Sequence, residues 1–556
     1  MVSVALLIFA FYKISLGLHS DEAHFIAVGD MISRGNIMFK QIWYYQQLSG
    51  VFVAPVIWIF EKLTGGRESV LLVFRILSVI IQTLICTYFY NTFKDRFNKK
   101  YVACACIILF TYIPDFQSFN YKQAIIWFVT LMIIYSYRYY LTGDKRYAIL
   151  LGLSVSACVL EYPTAILLAI TYTLILLFID RKNERKPVSI IYFILTCMIC
   201  AGVFFAYIFS NLSIREFIFF FPKVFKDDNL DTRFIFKLIH PLIKFAVMGL
   251  AYMLCVQVAT RIKVLKKLPV VSTILIVAFV GQCIVERRGI TWHCITYPYM
   301  MTMFMIPTVF SLSYYLKRKD AIDTDLKCIA KLFMYPACTA ILAMMVASNQ
   351  SNITGMYPAV FGAVALVMII SEAGFDSDGI MKEKAAISTV LIVCAIVMYI
   401  LPVWEQEACM DYGTRTVFSE RIMVNDGCLA GIKVGKDYYE KYYRLYRVEE
   451  NIKAEDITLI IDDYDISALG YLNLKGRPST FSPQGGLGID SGEKIMDYLT
   501  CNPELQPTKI ILNMNYINDS LDNYMKKTPL GEYISNNHYS VLDYTNGYIV
   551  LMRDVH

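Results

Sequence analysis

The chain has 556 residues, 57% of them hydrophobic and 18% charged, and its mean hydropathy is positive, at +0.49. That balance excludes a soluble globular protein and describes a polytopic membrane protein with a more polar piece attached. The formal net charge of +6 is not a nucleic-acid footprint, because most basic residues stand in short loops between apolar runs, where they report topology.

The first apolar run, Val2 to Leu18, follows Met1 with neither a basic n-region nor a small-residue cleavage site, and reads as a retained membrane helix. It opens into HSDEAHFIAVGDMISRGNIMFKQIWYYQQLSG, His19 to Gly50, where acids, histidines, amides and aromatics crowd together beside the membrane. Asp21 and Glu22 stand where the chain leaves the helix and meets water. A carboxylate at such a mouth is half desolvated yet ionised, as a general base or a ligand for a hydroxyl or a divalent ion must be. The competing reading is structural: Ser20 as N-cap, two acids in a first helical turn, and Phe25, Val28 and Ile32 on one face of an amphipathic surface helix ended by Arg34 and Gly35. Val51 to Leu63 is too short to span ~30 Å of hydrocarbon and is placed as a second interface helix. The first outer loop therefore runs from about 19 to 67.

Further apolar runs follow at Val70 to Tyr90, Tyr101 to Ile113, Ala124 to Tyr140, Ala148 to Leu160, Thr164 to Ile179 and Ile190 to Ser210. Others lie at Ile243 to Thr260, Val270 to Val285, Cys294 to Leu316, Met334 to Val346, Val360 to Ser371 and Ile387 to Val403. With the first, that makes about thirteen spans. Lys and Arg gather at every second loop, as in Lys94 to Lys100, Arg181 to Lys186, Arg261 to Lys267 and Lys317 to Lys319. The positive-inside rule then puts the N-terminus in the cytoplasm, and the acid pair and everything after Trp404 outside.

The expected fold is a polytopic α-helical membrane domain, residues 1–403, followed by an extracytoplasmic mixed α/β domain, residues 404–556. In the latter, Ile457 to Ile461 and Lys509 to Leu512 read as buried strands, Asp437 to Glu450 and Gly492 to Leu499 as helices, and Asn546-Gly547 as a type I′ hairpin turn. Twelve of the 15 cysteines precede residue 400, mostly singly in apolar runs, where a thiol behaves as a small hydrophobe.

Three constellations carry candidate chemistry. Trp43, Tyr44, Tyr45, Gln46 and Gln47 offer ring faces and side-chain amides in one segment, the pairing that binds sugars, although membrane-interface belts are also rich in Trp and Tyr. Arg287, Arg288 and His293, at the outer end of the ninth span, run against the positive-inside bias and suit a phosphate through charge-assisted hydrogen bonds, or else lipid headgroups. Asp21, Glu22 and His24 are the candidate ligands for a divalent metal, though no close repeat of ligands defines such a site, and no other cofactor is indicated.

At the acid pair the sequence resembles the GT-C superfamily of polytopic glycosyltransferases, especially the protein O-mannosyltransferase and aminoarabinose transferase branch. Asp21 and Glu22 match that family's acid pair after the first helix, and Trp43 to Gln47 its aromatic and Gln-containing segment between two interface helices. The sequence departs from the pattern in having Leu48 and Ser49 where many members have a Pro pair, and PDFQSFNYKQ where many have a second acid. Asp115 would be the substitute, while Asn120 and Tyr121 occupy the part of the loop where the match is expected. The resemblance implies a GT-C fold and an inverting transfer of sugar from a polyprenyl phosphate to a cell-surface glycan, lipid or protein on the outer face. Asp21 would take the acceptor's proton, Glu22 would position the acceptor or a metal, and Arg287, Arg288 and His293 would hold the leaving phosphate. The alternative class is a transporter or lipid flippase, which would put ionisable residues near the midplane and show repeated halves.

Overall fold

A long apolar run in a bilayer has no water to satisfy its peptide groups and closes into a helix. The computed structural model describes residues 2–113, 117–225, 324–346, 357–372, 402–406, 412–483, 492–517 and 521–554, with a few positions between 392 and 400. The chain begins with α1 (Val2–Lys13), α2 (Ser20–Ser33), α3 (Gly50–Thr64), α4 (Val70–Phe93), α5 (Lys99–Thr111) and α6 (Tyr121–Thr142). It continues through α7 (Lys145–Glu161), α8 (Ile166–Lys182), α9 (Val188–Asn211) and α10 (Ile214–Phe225), and later α11 (Thr324–Val346) and α12 (Val360–Glu372). Asn98, Asn120 and Asp144 start α5, α6 and α7 by accepting a backbone N–H with their side chains, as short polar caps do.

Four helical stretches among the described residues are long and apolar enough to cross a membrane: Val70–Phe93, Tyr121–Thr142, Pro163–Lys182 and Val188–Asn211. The expected spans at 243–260, 270–285 and 294–316 lie outside the described residues, as does most of 387–403. The end of that last run is not helical, because Pro402–Gln406 forms β1, paired antiparallel with β2 (Tyr412–Thr416). The boundary expected at residue 404 thus falls inside a strand. One apolar core joins α4 to α8 with α11 and α12.

In the C-terminal part, β3 (Ile422–Met423) pairs with β4 (Lys433–Val434). A five-stranded sheet follows, built from β5 (Ile457–Ile461), β6 (Arg477–Pro478), β7 (Lys509–Asn513), β8 (Tyr539–Thr545) and β9 (Tyr548–Arg553), in the order β6-β5-β7-β9-β8. β5 is parallel to β6 and β7, while β9 runs antiparallel to β7 and β8. The helices α13 (Lys436–Glu449), α14 (Tyr464–Asn473) and α15 (Gly492–Cys501) connect these strands. Asn546 (φ 55°) and Gly547 (φ 83°) make the β8–β9 turn, with the two positive φ angles a type I′ turn needs.

The tail is not a separate body beside the loop; the two share a core. Ala23, Ile26 and Ala27 of α2 and Val53 and Ile57 of α3 pack in one cluster with Leu429, Leu469 and Leu472. This is why α2 is apolar on more than the face marked by Phe25, Val28 and Ile32: Ala23, Ile26 and Ala27 are also at most 1% exposed. The expectation of an amphipathic helix lying on the membrane surface is corrected accordingly. Polar ties reinforce the seam. The Arg34 guanidinium donates to the carbonyls of Tyr471, Leu474 and Gly476 and pairs with Asp30 at 2.6 Å, and Leu16 bridges to Lys433. α2 and α3 cross so closely at Gly29 that a Cβ there would lie 2.3 Å from Val53 Cγ1.

Candidate active site

The residue that caps α2 is His19, not Ser20: its Nδ1 accepts from Asp21 N at 3.2 Å. That bond requires a bare Nδ1. The two acids that follow then point to different surroundings.

Glu22 points inward. Its side chain is fully buried, and both carboxylate oxygens are taken by Arg75 of α4, Nε to Oε1 at 2.7 Å and Nη2 to Oε2 at 2.6 Å. The same guanidinium donates to the carbonyls of Ile14, at 2.7 Å, and Gly17, at 2.9 Å. This fork geometry is the strong form of the ion pair. It ties the end of α1, the turn and the start of α2 to α4, a helix long and apolar enough to cross a membrane. Glu22 therefore does not present an oxygen to an acceptor or a metal, which corrects the role expected for it.

Asp21 points outward. Its side chain is 25% exposed, and Oδ2 accepts from Lys122 Nζ at 3.0 Å. Burial pushes the Asp21 carboxyl up, but the Lys122 ammonium bonded to it outweighs that and holds it at about 2. Asp21 is therefore an anion at every physiological pH. His24, one turn on, is buried edge-on against Tyr44, with ring centroids 4.3 Å apart. Burial holds its imidazole down at about 3, against the pull of Asp21, so it is neutral. Among the described residues no group of three His, Cys, Asp or Glu side chains is placed to hold a metal ion. Of the expected set Asp21, Glu22 and His24, Glu22 is committed to Arg75 and Asp21 is shared with Lys122.

The aromatic segment divides in the same way. Trp43 is 1% exposed, walled by Phe220, Phe481 and Tyr498, and its Nε1 donates to the Lys40 carbonyl at 2.8 Å. It is part of the seam with the tail and not an open sugar platform. Gln47 is buried, and its Oε1 accepts from Phe39 N at 2.8 Å, holding Phe39 in its left-handed conformation (φ 65°). Tyr44 is buried too and donates to Gln46 Oε1 at 2.5 Å. Tyr45 and Gln46 are half-buried, with the Tyr45 ring 4.9 Å from that of Tyr44. Tyr121 stacks on Tyr162, centroids 5.4 Å apart, and meets Phe25 edge-on.

Asp115, Arg287, Arg288 and His293 lie outside the described residues. The position where a second acid was expected is served by a cap: Asn120 Oδ1 accepts from Gln123 N at 3.0 Å and Nδ2 donates to the Ser118 carbonyl. Sequence reasoning missed Lys122, two residues on. The signal was there: a lysine in the first turn of a helix opposes the helix dipole.

The acid pair thus divides, one acid locked by Arg75 and one at the open edge beside Lys122. The family model described as dolichyl-phosphate-mannose-protein mannosyltransferase matches residues 50–207. That match covers less than a third of the chain and begins after the acid pair, in the helical membrane part. No curated protein matches the sequence. Among solved structures, the chain is similar to the archaeal oligosaccharyltransferase AglB from Archaeoglobus fulgidus in complex with an inhibitory peptide and a dolichol-phosphate. That likeness has 11% identity, covers 99% of this chain and 74% of that one, and has a TM-score of 0.44. The chain is also similar to ArnT from Cupriavidus metallidurans in the apo state, at 10% identity over 99% of this chain and 96% of that one, with a TM-score of 0.44. ArnT bound to undecaprenyl phosphate gives the same identity and coverage, with a TM-score of 0.41.

Proposed function

We propose that the protein is an inverting glycosyltransferase that moves a sugar from a polyprenyl phosphate to an acceptor hydroxyl or amine on the extracytoplasmic face of the cell membrane. The matched family's description names a polyprenyl-phosphate-linked sugar as donor. The observation that carries the reading is the division of labour in the acid pair: Glu22 is sealed by Arg75 while Asp21 reaches the open edge as an anion. In the reaction the acceptor's oxygen or nitrogen forms a bond to the anomeric carbon, the carbon–oxygen bond to phosphate breaks, and the acceptor's proton passes to Asp21. Glu22 acts through Arg75 as a positioning residue that fixes where Asp21 stands. Tyr45 and Gln46 face the sugar or acceptor, and Arg287, Arg288 and His293 receive the phosphate as its charge grows. With the acid pair outside, the N-terminus is cytoplasmic and the tail extracytoplasmic. The acceptor is a cell-surface glycan, lipid or protein.

The test is complementation of cells lacking the protein, read by mass spectrometry of surface glycans and lipids. The wild-type chain should restore a missing sugar modification, and Asp21→Asn, at equal abundance, should not, because a general base contributes about a hundredfold to ten-thousandfold in rate. Full restoration by Asp21→Asn would remove Asp21 from the chemistry.

A further inference from the structure

The two acids of the pair have different kinds of partner. Glu22 meets a guanidinium through two bonds of 2.6 to 2.7 Å, both side chains being at most 4% exposed. Asp21 meets an ammonium through one bond of 3.0 Å at the open edge of the site. A planar fork bound at both tines is a permanent fixture, whereas an ammonium on a flexible stem is a point charge with rotatable donors that can change partner.

Lys122 is also held where a cation costs most. It is the second residue of α6, in the first turn, where unsatisfied N–H groups already present partial positive charge. Its side chain is 6% exposed and lies between two rings, with Nζ 5.7 Å from the Tyr121 centroid and 5.1 Å from that of Tyr357. Lysine and helix terminus together make a positive corner, and among the described residues Asp21 is a carboxylate paired with it. A base so neutralised is a poor proton acceptor, since it is held at about 2.

We propose that Lys122 is an exchangeable counter-ion, which neutralises Asp21 in the donor-free protein and passes to the donor's phosphate when the donor binds, leaving Asp21 free to take the acceptor's proton. The inference rests on the reading of Asp21 as base and of a polyprenyl phosphate as donor. It adds an order of events. The donor's phosphate is a diester with one negative charge on two non-bridging oxygens, an acceptor equal in charge to the carboxylate, and its hold on the ammonium grows as the bond to the sugar breaks and a second charge develops. Once Lys122 has turned away, burial, the largest influence on the Asp21 carboxyl and an upward one, acts with less opposition, and its basicity rises. The base is thus quiet until a donor is seated, and this keeps the acceptor from being activated with nothing to attack.

The exchange predicts a change of sign that a merely structural lysine would not produce. Full-length protein in detergent is titrated with undecaprenyl phosphate carrying no sugar, and binding is followed by tryptophan fluorescence. Lys122→Met should bind at least about tenfold more weakly than wild type, and Asp21→Asn at least about tenfold more tightly, because its lysine no longer has to leave a carboxylate. The double variant should bind as weakly as Lys122→Met alone. If Asp21→Asn tightens binding equally with and without Lys122, simple charge repulsion accounts for the effect and the exchange is overturned. It is overturned as well if Asp21→Asn binds no more tightly than wild type, a comparison that stands even if Lys122→Met fails to fold. Failure of the wild type to bind the lipid phosphate at all would instead remove the donor reading, and the exchange with it.

Discussion

Replacing Glu22 with Gln leaves the helix, the turn and the shape of the side chain in place but strips the Arg75 guanidinium of its counter-charge. Arg75 keeps its bonds to the Ile14 and Gly17 carbonyls, and these are neutral acceptors. Two charge-assisted bonds are weakened or lost, each worth about 1.5–3 kcal/mol, so the pair accounts for roughly 3–6 kcal/mol. That agrees with the roughly 3–5 kcal/mol expected when one partner of a buried ion pair is removed and the other stays charged. The protein purified in detergent should therefore show a clear fall in melting temperature and a large loss of transfer activity, because the turn that aims Asp21 is no longer pinned to α4. Glu22→Met combined with Arg75→Met removes both charges and fills the space, and should recover much of the stability but not the activity. Glu22→Gln melting within a degree of wild type with full activity would refute the claim that this pair holds the site in position. So would a double variant less stable than Glu22→Gln alone.

Two further outcomes are expected. Trp43→Phe should lower stability by about 1–3 kcal/mol through a lost indole bond and a small cavity, with KM for donor and acceptor unchanged. A raised KM would return Trp43 to the ligand-binding surface. In the tail, burial raises the Asp462 carboxyl from 3.8 to about 6, against hydrogen bonds from Tyr548, Asp463 N and Asn513. The folded tail holds a proton that the unfolded chain has already released, so this contribution is full below pH 4 and is lost as pH rises through 6, on the order of 3 kcal/mol in all. The drop in melting temperature of the full chain between pH 4 and 6 should be smaller in Asp462→Asn, and an unchanged profile would show that Asp462 does not titrate in that window.

Whatever depends on local periodicity and hydropathy was legible in the chain itself. The apolar runs that became α4 to α9 lie close to their expected limits, because a long apolar run in lipid has no alternative to a helix. β5, β7, α13, α15 and the Asn546-Gly547 turn follow from strand and helix periodicity and from the left-handed tolerance of Asn and Gly. The acid pair and its place at the mouth of the first helix were readable too, since a charge beside an apolar run is conspicuous. What only the tertiary structure decided is which neighbour each residue meets. Asp21 and Glu22 are adjacent in sequence and similar in chemistry, yet their roles separate because Arg75, 53 positions from Glu22, closes on one, and Lys122, 101 positions from Asp21, reaches the other. Trp43 and Gln47 looked like ligand contacts because the rings and amides that bind sugars also fill seams, and the tail that buries Trp43 enters the chain more than 400 residues later. Partners so distant leave no trace in local pattern, because the ion pairs and side-chain packing that assign a polar residue its task depend on proximity in space and not along the chain.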